Sequence, residues 1–216
     1  MAEKSFVVFG LGSFGHSVAV NLCRNGCEVL AIDVKEERVQ NIADEVTYAV
    51  TGNVLDPAIY STMGIEDMDG AVIAISEHIE ESIMATIHAK EAGIPYVLAK
   101  ARDHIHEKVL RKVGADHVIL PEIEMGSRVA KNMVFGKFVD TFELSSDFSM
   151  VEMQVPYEWR GKSLKELDVR GRYSINIVGI RQNGQFHVEV DPDEILQGDQ
   201  ILLVVGSNQK LKKLTV

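Results

Sequence analysis

Phe6-Val7-Val8-Phe9-Gly10-Leu11-Gly12-Ser13-Phe14-Gly15 joins a short apolar run to a glycine-rich turn and then to a helical pattern. Four apolar residues in succession suit a strand buried on both faces. From Phe14 to about Asn25 the spacing reads as helix, and Gly26 supplies a stop. The three glycines have separate tasks. Gly10 permits a tight turn, Gly12 lets the backbone approach a pyrophosphate, and Gly15 allows the helix to pack closely on the strand. Phosphates in such a turn meet free N–H groups and the positive end of the helix dipole. Asp33 falls at the end of the second apolar run, about 20 residues beyond the glycines, where a carboxylate accepts hydrogen bonds from ribose hydroxyls. Its plainer reading is a helix N-cap. A carboxylate at this position repels a 2′-phosphate, which disfavours NADP and leaves NAD, ATP or ADP.

The same alternation continues downstream. Strands are expected at Phe6–Phe9, Val29–Ile32, Val46–Val50, Ala71–Ile75, Ile94–Ala101 and His117–Leu120, with helices near Phe14–Asn25, Lys35–Ala43, Pro57–Met63, Ile79–Ala92 and His104–Val113. Gly26, Gly64, Gly93 and Gly114 stand where helices end and a left-handed cap is needed. Repeated βα units of this kind give a doubly wound, Rossmann-type parallel sheet of six strands. A connector helix follows over Glu122–Phe135, with Met125, Val129 and Met133 at i, i+4, i+8 and Gly136 closing it. Beyond it the runs alternate instead: Asp140–Leu144, Met150–Val155, Ile175–Arg181, Phe186–Val190 and Ile201–Val205 read as strands, with Asn183-Gly184 as a hairpin turn. Short helices fit Leu164–Leu167 and Lys210–Leu214. The division expected is therefore a Rossmann domain with its connector over 1–139 and a small α+β domain over 140–216, small enough to be stabilised by dimerisation.

Composition narrows the function classes. With 22 basic and 32 acidic residues the formal charge is −10, which opposes broad contact with a nucleic-acid backbone. The apolar runs fall short of the roughly 20 residues that cross a bilayer, so a protein neither secreted nor membrane-embedded is expected. Cys23 and Cys27 match neither a zinc nor a redox spacing; they read as buried packing residues in a reducing cytoplasm. Trp159 likewise needs no role beyond packing.

Residues at the carboxyl ends of the other strands would line the same crevice as the glycines: Asn53, Ser76 and Glu77, then Lys100 and Arg102. Each is also an ordinary solvated loop residue. His104 and His106 with Glu107 resemble a metal cluster, but two histidines two apart leave a helix on different sides, and surface histidines are the default. The glycine motif is shared with dehydrogenases, so a small NAD-dependent oxidoreductase is the alternative reading. A short-chain reductase needs Tyr-x-x-x-Lys on one helical face. Tyr96-Val97-Leu98-Ala99-Lys100 lies on the fifth strand, where four residues span about 13 Å. The C-terminal portion offers no acid, base or nucleophile constellation. Binding without turnover is the better inference.

The Gly10–Gly15 loop, Asp33, the Gly114-Ala115-Asp116 turn and Pro121-Glu122-Ile123-Glu124-Met125-Gly126 together resemble the RCK (KTN) proteins of Ktr and Trk potassium transport, the KtrA/KtrC group above all. Leu167-Asp168-Val169-Arg170 and Ile175–Ile180 resemble the C-terminal TrkA_C (RCK_C) domain. The resemblance covers almost the whole chain. It implies a cytoplasmic regulatory subunit, peripheral to the membrane, that forms dimers and an octameric ring on a KtrB/TrkH-like potassium-translocating subunit. It implies ATP or ADP in the crevice, with NAD(H) also assigned to the family. Asp33, Val34 and Lys35 are then placed at the ribose and adenine, Asn53 and Val54 next to them, and Ile75, Ser76 and Glu77 around the base. Lys100, Ala101, Arg102 and His106 are placed toward the phosphates. Glu122 would help hold Mg²⁺ or Ca²⁺ beside ATP at a subunit boundary; otherwise it stabilises its helix N-terminus. Ser13 departs from the pattern, standing where relatives often carry an arginine that reaches the terminal phosphate. The second domain is similar to those that bind cyclic di-AMP across a two-fold interface. Leu164, Leu167 and Val169 would supply apolar walls there and Arg170 a phosphate donor, Arg170 being otherwise a surface residue near Asp168.

Overall fold

In the computed structural model, which describes residues 4–135 and 138–214, Ser5–Phe9 forms β1 and Ser13–Arg24 forms α1. The alternation then runs through β2 (Glu28–Asp33), α2 (Glu36–Ile42), β3 (Tyr48–Thr51), α3 (Ala58–Thr62), β4 (Gly70–Ile73), α4 (Ile79–Glu91), β5 (Val97–Lys100), α5 (His104–Lys112) and β6 (His117–Ile119). These six strands make one parallel sheet in the order β3-β2-β1-β4-β5-β6, the doubly wound topology expected. Successive residues of a strand point to opposite faces, and both faces of this sheet are covered. Val7 and Phe9 join Leu30, Ile32 and Ile73 in one apolar cluster, while Val8 joins Val29, Ala31 and Val72 in another. The unbroken apolar character of these strands is the consequence.

Local signals fix the ends. The four glycines expected to stop helices all have positive φ. Asp103 caps α5, its side chain accepting from Ile105 N–H at 3.0 Å and His106 N–H at 2.9 Å. Cys23 and Cys27 are free and half-buried rather than fully buried.

The chain separates into two compact units, Met1–Ile123 and Glu124–Val216. The division falls inside α6 (Pro121–Phe135), whereas the sequence reading sets it after that helix. Gly136, expected to close α6, lies outside the described residues. The second unit is a five-stranded antiparallel sheet in the order β10-β9-β11-β8-β7, built from β7 (Phe138–Glu143), β8 (Phe148–Gln154), β9 (Ile175–Gln182), β10 (Gln185–His187) and β11 (Ile201–Ser207). Asn183 and Gly184 both have positive φ, as a tight two-residue hairpin turn between β9 and β10 requires. Short helices α7 (Leu164–Leu167), α8 (Val169–Tyr173) and α9 (Asn208–Lys213) supply further apolar residues to its core. Trp159 is buried in this core and its ring lies 5.2 Å from that of Tyr173, the packing role expected. Among the described residues, no helix is long and apolar enough to cross a membrane.

Candidate functional site

The strand order reverses between β1 and β4, and a crevice opens there at the carboxyl ends of the strands. The turn after β1 forms its floor. Gly10 has φ +89°, and a side chain there would strike Ile75. Gly15 is closed for a different reason: a Cβ would lie 1.9 Å from the Gly10 carbonyl oxygen and 2.9 Å from Ala74 Cβ, which is the close helix-on-strand contact expected. Gly12 faces open space, with nothing within 4 Å of the position its Cβ would take. It is also the N-cap of α1 and has no side chain to satisfy the first-turn N–H groups, leaving them for an anion.

Asp33 closes the other side of the turn. It is 4% exposed, and its carboxylate accepts from Leu11 N–H at 2.6 Å and Lys35 N–H at 2.9 Å. Arg38 adds an ion pair at 3.2 Å. Burial pushes the Asp33 carboxyl up, but the two backbone donors and the guanidinium outweigh it and hold the group below its ordinary value. Asp33 is thus a charged clasp joining the glycine turn to the start of α2, which is more than either sequence reading of it.

A cavity of about 320 Å³ lies over this floor, within the range of small-ligand sites. It is lined by Gly10, Gly12, Ser13, Phe14, Asp33, Val34, Lys35, Val54, Ile75, Ser76, Glu77, Lys100 and Glu122 among the residues expected from the sequence. Ile32, Arg38, Ala74, His78 and Glu81 line it as well. None of these was singled out by the sequence: Arg38 is one more helix-surface arginine until α2 is placed, and His78 and Glu81 carry no signal beyond their place after β4.

Other expected residues stand elsewhere. Gly15 is in the helix–strand contact, and the Asn53 carboxamide oxygen accepts from Leu55 N–H at 3.0 Å. Ala101 is buried, and Arg102 pairs with Asp103 at 3.3 Å. None of these four lines the cavity. His106 is only 2% exposed, so the surface reading of it is corrected; His104 is exposed. Spacing explains the difference: His106 and Leu110, four apart, form the buried face of α5. His106 Nδ1 accepts from Arg102 N–H at 3.3 Å, and burial lowers the pKa of its ring. No group of three His, Cys, Asp or Glu among the described residues could hold a metal.

Lys100 and Glu122 both line the cavity and pair directly, Nζ to Oε1 at 2.6 Å. The Lys100 side chain is 11% exposed and its ammonium sits 5.7 Å over the Phe14 ring. Its hydrogen bond holds the Glu122 carboxyl below the ordinary range. Tyr96 ends up exposed ahead of β5 and shares no helical face with Lys100.

In the second unit Leu167 and Val169 are buried in the core and Leu164 packs at its edge. Arg170 is exposed, and its Nε donates to Asn176 Oδ1 at 2.8 Å. Asp168 is turned to Gly171 N–H at 3.2 Å as the cap of α8.

Residues 6–121 match the sequence profile of the TrkA-N domain, and residues 150–215 that of the TrkA-C domain. The chain belongs to the TrkA-N/TrkA-C family of potassium transport proteins. Within the family it is 38% identical over 205 residues to Ktr system potassium uptake protein C of Bacillus subtilis (strain 168), covering 95% of this chain and 93% of that one. Ktr system potassium uptake protein A of the same organism is 34% identical over 211 residues, 98% of this chain and 95% of that one. Among solved structures, the GsuK channel bound to NAD shares the fold at a TM-score of 0.65 and 14% identity, over 97% of this chain and 38% of that chain.

Proposed function

We propose that the chain is a nucleotide-binding regulatory subunit of a potassium uptake system, without catalytic turnover, acting on a membrane potassium-translocating subunit of the KtrB/TrkH type. The observation that carries this reading is the crevice itself. An uncapped helix N-terminus, a glycine turn open at Gly12 and a buried, charged Asp33 stand on one wall, in a chain 38% identical to a Ktr system potassium uptake protein.

Phosphates fit the Gly10–Ser13 turn, where the Ser13 hydroxyl donates one hydrogen bond. Ribose hydroxyls fit the remaining acceptor capacity of Asp33. Lys35, Arg38 and Lys100 supply cations that offset most of the charge of Asp33, Glu77, Glu81 and Glu122, so a polyphosphate finds cationic partners in an otherwise acidic lining. ATP and ADP are the ligands, with NAD(H) in the same crevice as the further member of the set. A divalent cation, Mg²⁺ or Ca²⁺, would draw on Glu122 together with phosphate oxygens, since the described residues alone gather too few ligands. Phosphates attract Lys100 and so release Glu122 for that role.

The family resemblance extends the reading to a cytoplasmic subunit assembled as dimers into an octameric ring, and to cyclic di-AMP at the second unit. Arg170, exposed and held by Asn176, is the donor available to such an anion. Calorimetric titration of ADP, ATP and NADH tests the crevice. Asp33→Ala should weaken ADP binding about ten- to a hundredfold through the lost hydrogen bonds. Equal binding by wild type and variant removes the crevice from the account, and consumption of NADH with a small carbonyl compound restores the oxidoreductase alternative.

A further inference from the structure

Val54, 3% exposed, lines the cavity, and its carbonyl oxygen is engaged by side chains that do not. Two side chains meet that one oxygen. Tyr60 Oη donates to it at 3.2 Å, and His88 Nδ1 lies 3.3 Å from it. A carbonyl only accepts, so the His88 contact fixes the ring proton on Nδ1. The rings also pack on one another: Tyr60 lies tilted, 5.3 Å from Phe9, the last residue of β1, and His88 meets the Tyr60 ring edge-on at 5.4 Å. Tyr60 is 5% exposed, and burial pushes its phenol well above the ordinary range, so it stays a neutral donor.

These contacts join three segments that border the crevice. Phe9 leads into the Gly10 turn, Val54 belongs to the turn after β3, and His88 is on α4, whose first turns carry Glu81. The turn after β3 is tied to β2 at its start, Gly52 N–H donating to the Asp33 carbonyl at 3.0 Å, but around Val54 the other bonds are local ones, Leu55 N–H to Asn53 Oδ1 and Asp56 N–H to the Asn53 carbonyl, both at 3.0 Å. We propose that Tyr60 and His88 are positioning residues for the nucleotide crevice, setting the Val54 wall against the adenosine end of the ligand. This rests on the nucleotide reading of the crevice. Neither side chain lines the cavity, so both act through Val54.

The experiment compares wild type, Tyr60→Phe, His88→Ala and His88→Asn, with ADP as the probe in calorimetry and thermal unfolding recorded for each. Tyr60→Phe keeps the packed ring and removes only the donor. His88→Asn keeps a side-chain N–H close to the place of Nδ1. Tyr60→Phe and His88→Ala should each weaken ADP binding about three- to tenfold at a temperature where the protein is fully folded. His88→Asn should restore wild-type affinity to within about twofold. If the variants melt earlier but bind ADP as wild type does, Tyr60 and His88 are ordinary core residues and the proposal fails while the crevice stands. Failure of the wild type to bind ADP overturns the crevice reading and this proposal together.

Discussion

At the scale of single residues, charge placement in the crevice matters more than charge count. Glu122 illustrates the point, because its carboxylate is paired with Lys100 at 2.6 Å in a chain that carries a net charge of −10. Glu122→Gln frees Lys100 for phosphate, so ADP binding without metal should be equal to or tighter than that of wild type. The same variant should lose the extra affinity that Mg²⁺ or Ca²⁺ gives to ATP, because the amide is a poorer ligand for a hard cation. Titrating ATP with and without the cation measures both, and unchanged metal dependence would confine Glu122 to a helix-terminal role. Asp33 was legible because its place after the second strand is set by the glycine motif. Arg38 was not, since an arginine on a helix turn is ordinarily solvated; its pairing with Asp33 depends on how α2 leaves the sheet. His106 failed in the opposite direction: the i, i+4 relation to Leu110 outweighs the polarity of the ring.

At the scale of elements, the connector α6 and strand β7 are joined by Arg128 and Asp140, which share a two-point ion pair, with Asn132 adding a donor at 3.2 Å. The guanidinium also lies 4.5 Å over the Phe142 ring. The Arg128 hydrogen bond holds the Asp140 carboxyl down to about 2. An unfolded aspartate titrates near 3.9. The folded value is the lower one, so the stabilisation is fully present above about pH 4 and is lost as pH falls through about 2. Asp140→Asn should therefore lower the melting temperature at neutral pH by a few degrees, and the gap to wild type should close toward pH 2. A gap independent of pH would make the contact one of packing rather than charge. Element boundaries were legible where a strong pattern or a cap set them, as in β1, β6 and the Asn183-Gly184 turn. Elsewhere pairing decides. β10 stops at His187, short of the expected Val190, because its register with β9 covers only Gln185, Phe186 and His187. Helix α8 escaped the sequence because Gly171 interrupts its helical spacing; the side chain of Asp168, capping that same residue, is what starts it.

For the whole molecule, full-length similarity to Ktr system potassium uptake proteins places the crevice, with its proposed nucleotide, in a protein of potassium transport. The six-stranded doubly wound sheet of the first unit was legible in the alternating apolar runs; the proposed ring assembly and membrane partner rest on the family resemblance alone. The most direct test is potassium uptake into proteoliposomes that hold the Ktr-type membrane subunit, with this chain added in the presence of ATP, of ADP, or of no nucleotide. The account predicts that added chain changes the uptake rate, that the size of the change depends on which nucleotide is present, and that Asp33→Ala removes the nucleotide dependence. Uptake that is the same with and without the chain, whatever nucleotide is supplied, would contradict it.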